Sequence, residues 1–212
     1  MSNGIASLIA DKTVIPVLQI ERREDAVPLA EALIEGGLDV LEVTLRSDAA
    51  LDAAKDIIKA FPDAIVGIGT VLDAASLSRA SDVQAGFVVS PGLTRKLEHA
   101  AADVGLPFLP GVATVSEVMA ARESGFFRLK LFPAGVLGGV SMLKGLVPLF
   151  PDVKFCPTGG VSAENLSDFL ALENVFAVGG SWLAPKALVE AQDWAEITQR
   201  AKAARAVMDA QR

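Results

Sequence analysis

The chain has 212 residues, 51% of them hydrophobic and 21% charged, a balance that excludes a disordered or fibrous polymer and predicts a sizeable buried core. A net charge of -7 disfavours a nucleic-acid partner, because neutralising a phosphate backbone takes clustered Lys and Arg. With one His (His99), one Cys (Cys156) and no Tyr, there is no internal disulfide and no imidazole–thiolate set for a metal, so any catalysis has to run on Lys, Glu, Asp, Arg, Ser or Thr.

The lone Cys fits a reducing compartment, and the opening MSNGIASLIADK lacks the basic and apolar regions of an export signal. The longest uncharged runs, such as Leu131 to Leu143, are shorter than the roughly 18 apolar residues of a spanning helix, so no membrane partner and a cytoplasmic location are expected. No linker-like composition shift divides residues 1–212, which predicts a single domain.

In chain order, a short helix over Ser2 to Ala10 precedes a strand near Val14 to Ile20 and the helical segment EDAVPLAEALIEGG. Strands near Leu38 to Leu45, Ala64 to Gly69 and Gly86 to Ser90 follow, with the helix SDAALDAAKDIIKAF after the first of these. Then come strands near Pro107 to Pro110, Phe126 to Phe132, Val153 to Thr158 and Asn174 to Gly180. TVSEVMAARESG and SAENLSDFLALE read as helices opened by Thr114/Ser116/Glu117 and Ser162/Glu164 caps, and an amphipathic helix runs from Asp193 to Arg212. Helix-linked consecutive strands run parallel, and eight such units most economically close into a (β/α)8 barrel, with the N-terminal helix capping its base. An open doubly wound sheet is the alternative. Such a short chain has little room for a lid, so a site has to be built from strand ends and short loops.

The charged residues of two strands are the most informative. In Phe126 to Phe132, period-two alternation sends Phe127, Leu129 and Leu131 to the helices and Arg128, Lys130 and Phe132 into the barrel. In Val40 to Arg46 it sends Leu41, Val43 and Leu45 outward and Glu42, Thr44 and Arg46 inward. A buried ammonium is costly unless it is paired or sheds its proton, and the neutral amine is the form that attacks a carbonyl. A strand lysine that merely snorkels to solvent is the structural alternative. Together the runs supply an amine for a Schiff base (Lys130), a carboxylate able to move protons (Glu42) and a planar fork for a substrate carboxylate (Arg46).

Glycine pairs close the last two strands, Pro157-Thr158-Gly159-Gly160-Val161-Ser162 and Gly179-Gly180-Ser181, where such barrels often hold phosphate on backbone N–H groups. Either pair alone is equally a tight turn. His99 reads as a surface residue, Cys156 as a small hydrophobe, and Glu21-Arg22-Arg23-Glu24 as a solvated loop. Trp182 and Trp194 read as packing residues, with Trp182 close enough to Gly179-Gly180-Ser181 to line a pocket.

The ordered set Leu41-Glu42-Val43-Thr44-Leu45-Arg46, Gly67-Ile68-Gly69-Thr70-Val71, Ser90-Pro91-Gly92, Lys130-Leu131-Phe132-Pro133-Ala134 and Phe155-Cys156-Pro157-Thr158-Gly159-Gly160 resembles the 2-keto-3-deoxy-6-phosphogluconate aldolase family over nearly the whole chain. The resemblance implies a class I pyruvate aldolase built as a (β/α)8 barrel and assembled as a homotrimer. It also implies a phosphorylated 2-keto acid as substrate and no metal or organic cofactor. It assigns the Schiff base to Lys130, acid/base work to Glu42, and the pyruvate portion to Arg46 and Thr70, with Pro91, Phe132 and Thr158 lining the pocket. Gly159, Gly160, Gly180 and Ser181 would cradle the phosphate. Relatives acting on the galactonate epimer tend to carry Arg in the first strand, where this chain reads Val17-Leu18-Gln19-Ile20, and an apolar residue in place of Thr158, so the gluconate epimer is expected. 4-Hydroxy-2-oxoglutarate as substrate, and a non-catalytic phosphosugar-binding barrel, are the alternatives.

Overall fold

The structure, a computed structural model, describes residues 4–211. It opens with α1 (Ile5–Leu8), β1 (Thr13–Leu18), α2 (Ala26–Glu35), β2 (Val40–Thr44), α3 (Ala50–Ala60), β3 (Ile65–Gly69), α4 (Ala74–Asp82), β4 (Phe87–Val89) and α5 (Arg95–Val104). It continues with β5 (Phe108–Leu109), β6 (Gly111–Val112), α6 (Val115–Glu123), β7 (Arg128–Leu131), α7 (Gly139–Leu146), β8 (Lys154–Pro157), α8 (Leu166–Leu170), β9 (Ala177–Gly180), α9 (Lys186–Glu190) and α10 (Trp194–Asp209).

Strand pairing is parallel throughout, in the orders β5-β4-β3-β2-β1-β9 and β6-β7-β8. The predicted fifth strand is therefore two segments split at Pro110, which has no N–H to give to a ladder. Before the proline the chain pairs with β4 and after it with β7, while the Pro110 carbonyl accepts from Lys130 N at 2.9 Å. Bridges Phe155↔Val175 and Thr158↔Gly179 join β8 to β9 and close the ring. The result is a (β/α)8 barrel, and the open-sheet alternative falls with that closure.

Two apolar cores follow from the alternation. Leu18, Leu41, Val43, Ile68, Val88, Leu129 and Leu131 point out and pack under the helices. Ile15, Val40, Phe87, Val89, Leu109, Cys156 and Phe176 point in, together with Ile5 and Ile9 from and just after α1. Those interior residues include the starts of β2 and β4, so α1 stops the N-terminal end of the barrel as expected, burying two isoleucines worth about 2 kcal/mol each. The first residues of the predicted Ser2–Ala10 helix and the last of Asp193–Arg212 lie outside the described residues.

Caps mark several helix starts. Thr114 and Glu117 form a reciprocal capping box on α6, and Asp73, Thr94 and Asp193 cap α4, α5 and α10. Two expectations need correction. The Ser162/Glu164 cap is absent, because Asn165 Oδ1 accepts from Ser162 N at 2.9 Å and Asn165 Nδ2 donates to Gly160 O; this local turn delays α8 until Leu166. Phe127 does not pack under the helices; β7 begins one residue later and leaves Phe127 40% exposed. The Glu21 to Glu24 loop is exposed as expected, and its arginines are engaged at the surface: Arg22 grips Asp25 with two hydrogen bonds, and Arg23 grips Asp56 the same way.

Candidate active site

Lys130 and Glu42 meet inside the barrel as their parity requires. Lys130 Nζ donates to Glu42 Oε1 at 3.2 Å, with the side chains only 7% and 4% exposed. Lys130 stands between Gly111 and Cys156 in the ladder, and Glu42 between Val17 and Gly67. Gly69 makes the meeting possible, because a Cβ there would occupy the position of the Glu42 carboxylate. Two residues earlier, the missing Cβ of Gly67 leaves space for the Phe87 ring. Lys130 Nζ also lies 5.4 Å from the centre of the Phe132 ring, within cation–π range. Burial pushes the neighbouring Cys156 thiol up to about 12, so it remains protonated and inert beside the amine.

The other predicted residues lie at or just after the C-terminal ends of the strands. Thr70, directly after β3, has φ +61°, a left-handed conformation that strains a β-branched residue. Pro91 follows β4, and its backbone passes so close to Gly111 that no side chain fits there. Thr158 is buried, with Oγ1 3.4 Å from the Cys156 carbonyl. Gly159 and Gly160 both have positive φ, +87° and +81°, so the turn after β8 needs residues without a Cβ. Gly160, Val161 and Ser181 have backbone N–H groups that donate to nothing among the described residues, which leaves them available to an anion. The missing Cβ of Gly180 makes room for the Trp182 ring.

Arg46 and Ser181 come together at a cavity of about 330 Å³ that Val17, Thr44, Gln19 and Trp182 also line. Thr44 is one interior step from Glu42, roughly 7 Å along the strand, so the wall of this cavity lies one interior step beyond Glu42. Thr44 Oγ1 donates to Leu18 O and anchors the cavity floor to β1. Arg46 has no side-chain hydrogen bond or ion pair among the described residues.

A family model described as KDPG and KHG aldolase matches residues 5–200. The chain belongs to that family. A 2-dehydro-3-deoxy-phosphogluconate aldolase of Pseudomonas aeruginosa is 46% identical over 94% of this chain and 91% of its own. The KHG/KDPG aldolase of Escherichia coli K12 is also 46% identical, over 93% of each chain. The crystal structure of a KDPG aldolase from Legionella pneumophila, with pyruvate captured as a covalent carbinolamine, superposes with a TM-score of 0.90 at 44% identity, covering 96% of this chain and 98% of that one.

Within the aldolase fold, two features escaped the sequence reading. Gly69 is visible in the Gly67-Ile68-Gly69 motif, but its use as space for a carboxylate depends on the register between β2 and β3. Lys186 also lines the Arg46/Ser181 cavity, and a basic residue five positions after Ser181 was the available signal. His99 is exposed on α5, as expected. Among the described residues, no group of three or more His, Cys, Asp or Glu could hold a metal ion, and no helix is long and apolar enough to cross a membrane.

Proposed function

We propose that this aldolase cleaves 2-keto-3-deoxy-6-phosphogluconate reversibly to pyruvate and D-glyceraldehyde 3-phosphate by Schiff-base chemistry on Lys130. The buried Lys130–Glu42 contact at 3.2 Å carries the reading, because it puts a nucleophilic amine and a proton carrier on one point inside a barrel. The amine adds to the C2 ketone to give a carbinolamine, which loses water to an iminium. The C4 hydroxyl gives its proton to Glu42, the C3–C4 electron pair moves toward the iminium, and the aldehyde leaves an enamine on Lys130. Glu42 returns the proton to C3, and water hydrolyses the resulting iminium to free pyruvate and the amine. The pyruvate-bound carbinolamine of the Legionella pneumophila relative supports this sequence.

In this reading Arg46 and Thr70 hold the pyruvate carboxylate, while Phe132, Pro91 and Thr158 enclose the reacting carbons. Gly159, Gly160, Gly180 and Ser181 hold the phosphate, with Gly180 acting by seating Trp182 beside Ser181. The Val17-Leu18-Gln19-Ile20 segment, which carries no Arg, and Thr158 favour the gluconate over the galactonate epimer. A second activity on 4-hydroxy-2-oxoglutarate is supported by the KHG/KDPG name of the Escherichia coli relative. The single domain, a cytoplasmic location and a homotrimer belong to the same proposal; exposed Val115 and Met119, one turn apart on α6, support an assembly of several copies.

Borohydride added with pyruvate tests the reaction class. A reduced adduct mapped to Lys130, with activity lost, is the expected result; an adduct on another lysine, or none, overturns it. Full activity in excess EDTA is expected, and activity restored only by added metal would contradict the mechanism.

A further inference from the structure

We propose that Lys186 is a second cation for the substrate's phosphate and raises this enzyme's preference for phosphorylated substrates. The inference rests on the aldolase reading above and extends it to a residue that reading does not use. The cavity whose wall lies one interior step beyond Glu42 is lined by two cations, Arg46 and Lys186, and by one carboxylate, Glu21, which accepts from Gln19 Nε2 at 2.7 Å. If Arg46 is committed to the pyruvate carboxylate, the phosphate is left with backbone N–H groups and the Ser181 hydroxyl, and its two charges lack a counter-ion. Lys186 is the remaining cation on that cavity wall.

The present partner of Lys186 does not compete strongly. Its Nζ lies 3.6 Å from Glu190 Oε1, one helical turn on, with the side chains 68% and 60% exposed. Such solvated pairs are weak, and a phosphate dianion offers more charge. Pro185 precedes Lys186 with φ -63°, which fixes the start of α9 and keeps the lysine at the cavity edge. In a chain of net charge -7, the mean field repels a substrate that carries both a carboxylate and a phosphate, so a local cation at the mouth matters more to capture.

The test compares 2-keto-3-deoxy-6-phosphogluconate with its neutral-ended analogue, 2-keto-3-deoxygluconate, on wild type, Lys186→Met and Lys186→Arg. Lys186→Met is expected to raise KM for the phosphorylated substrate by roughly five- to tenfold, with kcat and the neutral substrate's kinetics little changed. Lys186→Arg should restore most of the affinity, and raising salt should narrow the difference between wild type and Lys186→Met. Equal effects on both substrates, or no effect on either, would overturn the proposal. Failure of the aldolase reading would show separately, as wild-type enzyme that forms no reducible adduct with pyruvate.

Discussion

Arg128 and Lys130 leave β7 toward the same interior, two residues apart, and the barrel uses them differently. Arg128 sits at the base, 19% exposed, 3.8 Å from Asp11 and 5.4 Å from the centre of the Phe176 ring. Asp11 also takes Lys154 at 2.6 Å, so the base holds its charges in a partly solvated network. Lys130 is one interior step deeper and faces the buried Glu42 carboxylate. Gly67 and Gly69 repeat the contrast on β3, the first making space for Phe87 in the lower core and the second for Glu42. Parity decides that a side chain enters the barrel, and depth decides whether it meets the apolar plug and solvent or the buried Lys130–Glu42 pair. That division agrees with the general rule that the C-terminal face of such barrels works while the N-terminal face stabilises.

The sharpest way to break the comparison is to truncate both charges on β7. Lys130→Met should lower kcat/KM by at least ~10³-fold, because the proposed Schiff-base step loses its nucleophile. It also leaves Glu42 buried without its donor, a cost of about 3 kcal/mol or more that the added change Glu42→Gln should partly relieve. Arg128→Met should leave kcat/KM within about twofold and cost about 1 kcal/mol in chemical denaturation, since its ion-pair partner Asp11 is half solvated. An Arg128→Met enzyme as dead as Lys130→Met would erase the distinction between the two ends.

The glycine pair sharpens the same boundary with a smaller effect. Gly67→Ala pushes a methyl against Phe87 and should destabilise by about 1–3 kcal/mol while the folded enzyme keeps its pH profile. Gly69→Ala pushes a methyl against the Glu42 carboxylate, so kcat should fall by roughly 10- to 100-fold, with a changed pH profile, at a similar stability cost. Paired denaturation curves and pH–rate profiles separate the two, and identical profiles would place Glu42 outside the chemistry.

Much of this was legible in the sequence because the barrel's alternation is a local property. Lys130 and Glu42 each stand in a run whose parity can be read without knowing its neighbours, and the eight strand-helix units imply their own closure. What remained hidden depends on register between strands distant in the chain. The space Gly69 gives Glu42 needs the pairing of Thr44 with Gly69, and the break at Pro110 needs β5 and β6 to choose different neighbours. Lys186 is a third case: it lies in the segment after β9 and lines one cavity with Arg46, which follows β2, only because β1 pairs with both strands. Phe127 and Ser162 misled for the opposite reason, since element ends shift with local hydrogen bonding that a periodic pattern does not contain.

The smallest effect concerns Cys156, which marks where the two zones touch. Its side chain belongs to the lower apolar core, yet in the ladder it stands beside Lys130. Burial raises its thiol to about 12, with the opposing influence of Lys130 second in size. At pH 8 the thiolate fraction is then about 10⁻⁴, against roughly a quarter for a free thiol, so a disulfide reagent should label native protein slowly and unfolded protein at once. The sign of the linkage follows: the folded state holds this proton longer than the unfolded chain, so the group's contribution to stability is present below its ordinary range near 9 and is lost as pH rises toward 12. Rapid native labelling at pH 8 would mean that water reaches the ladder position beside Lys130, and the dry lower core would have to end below it.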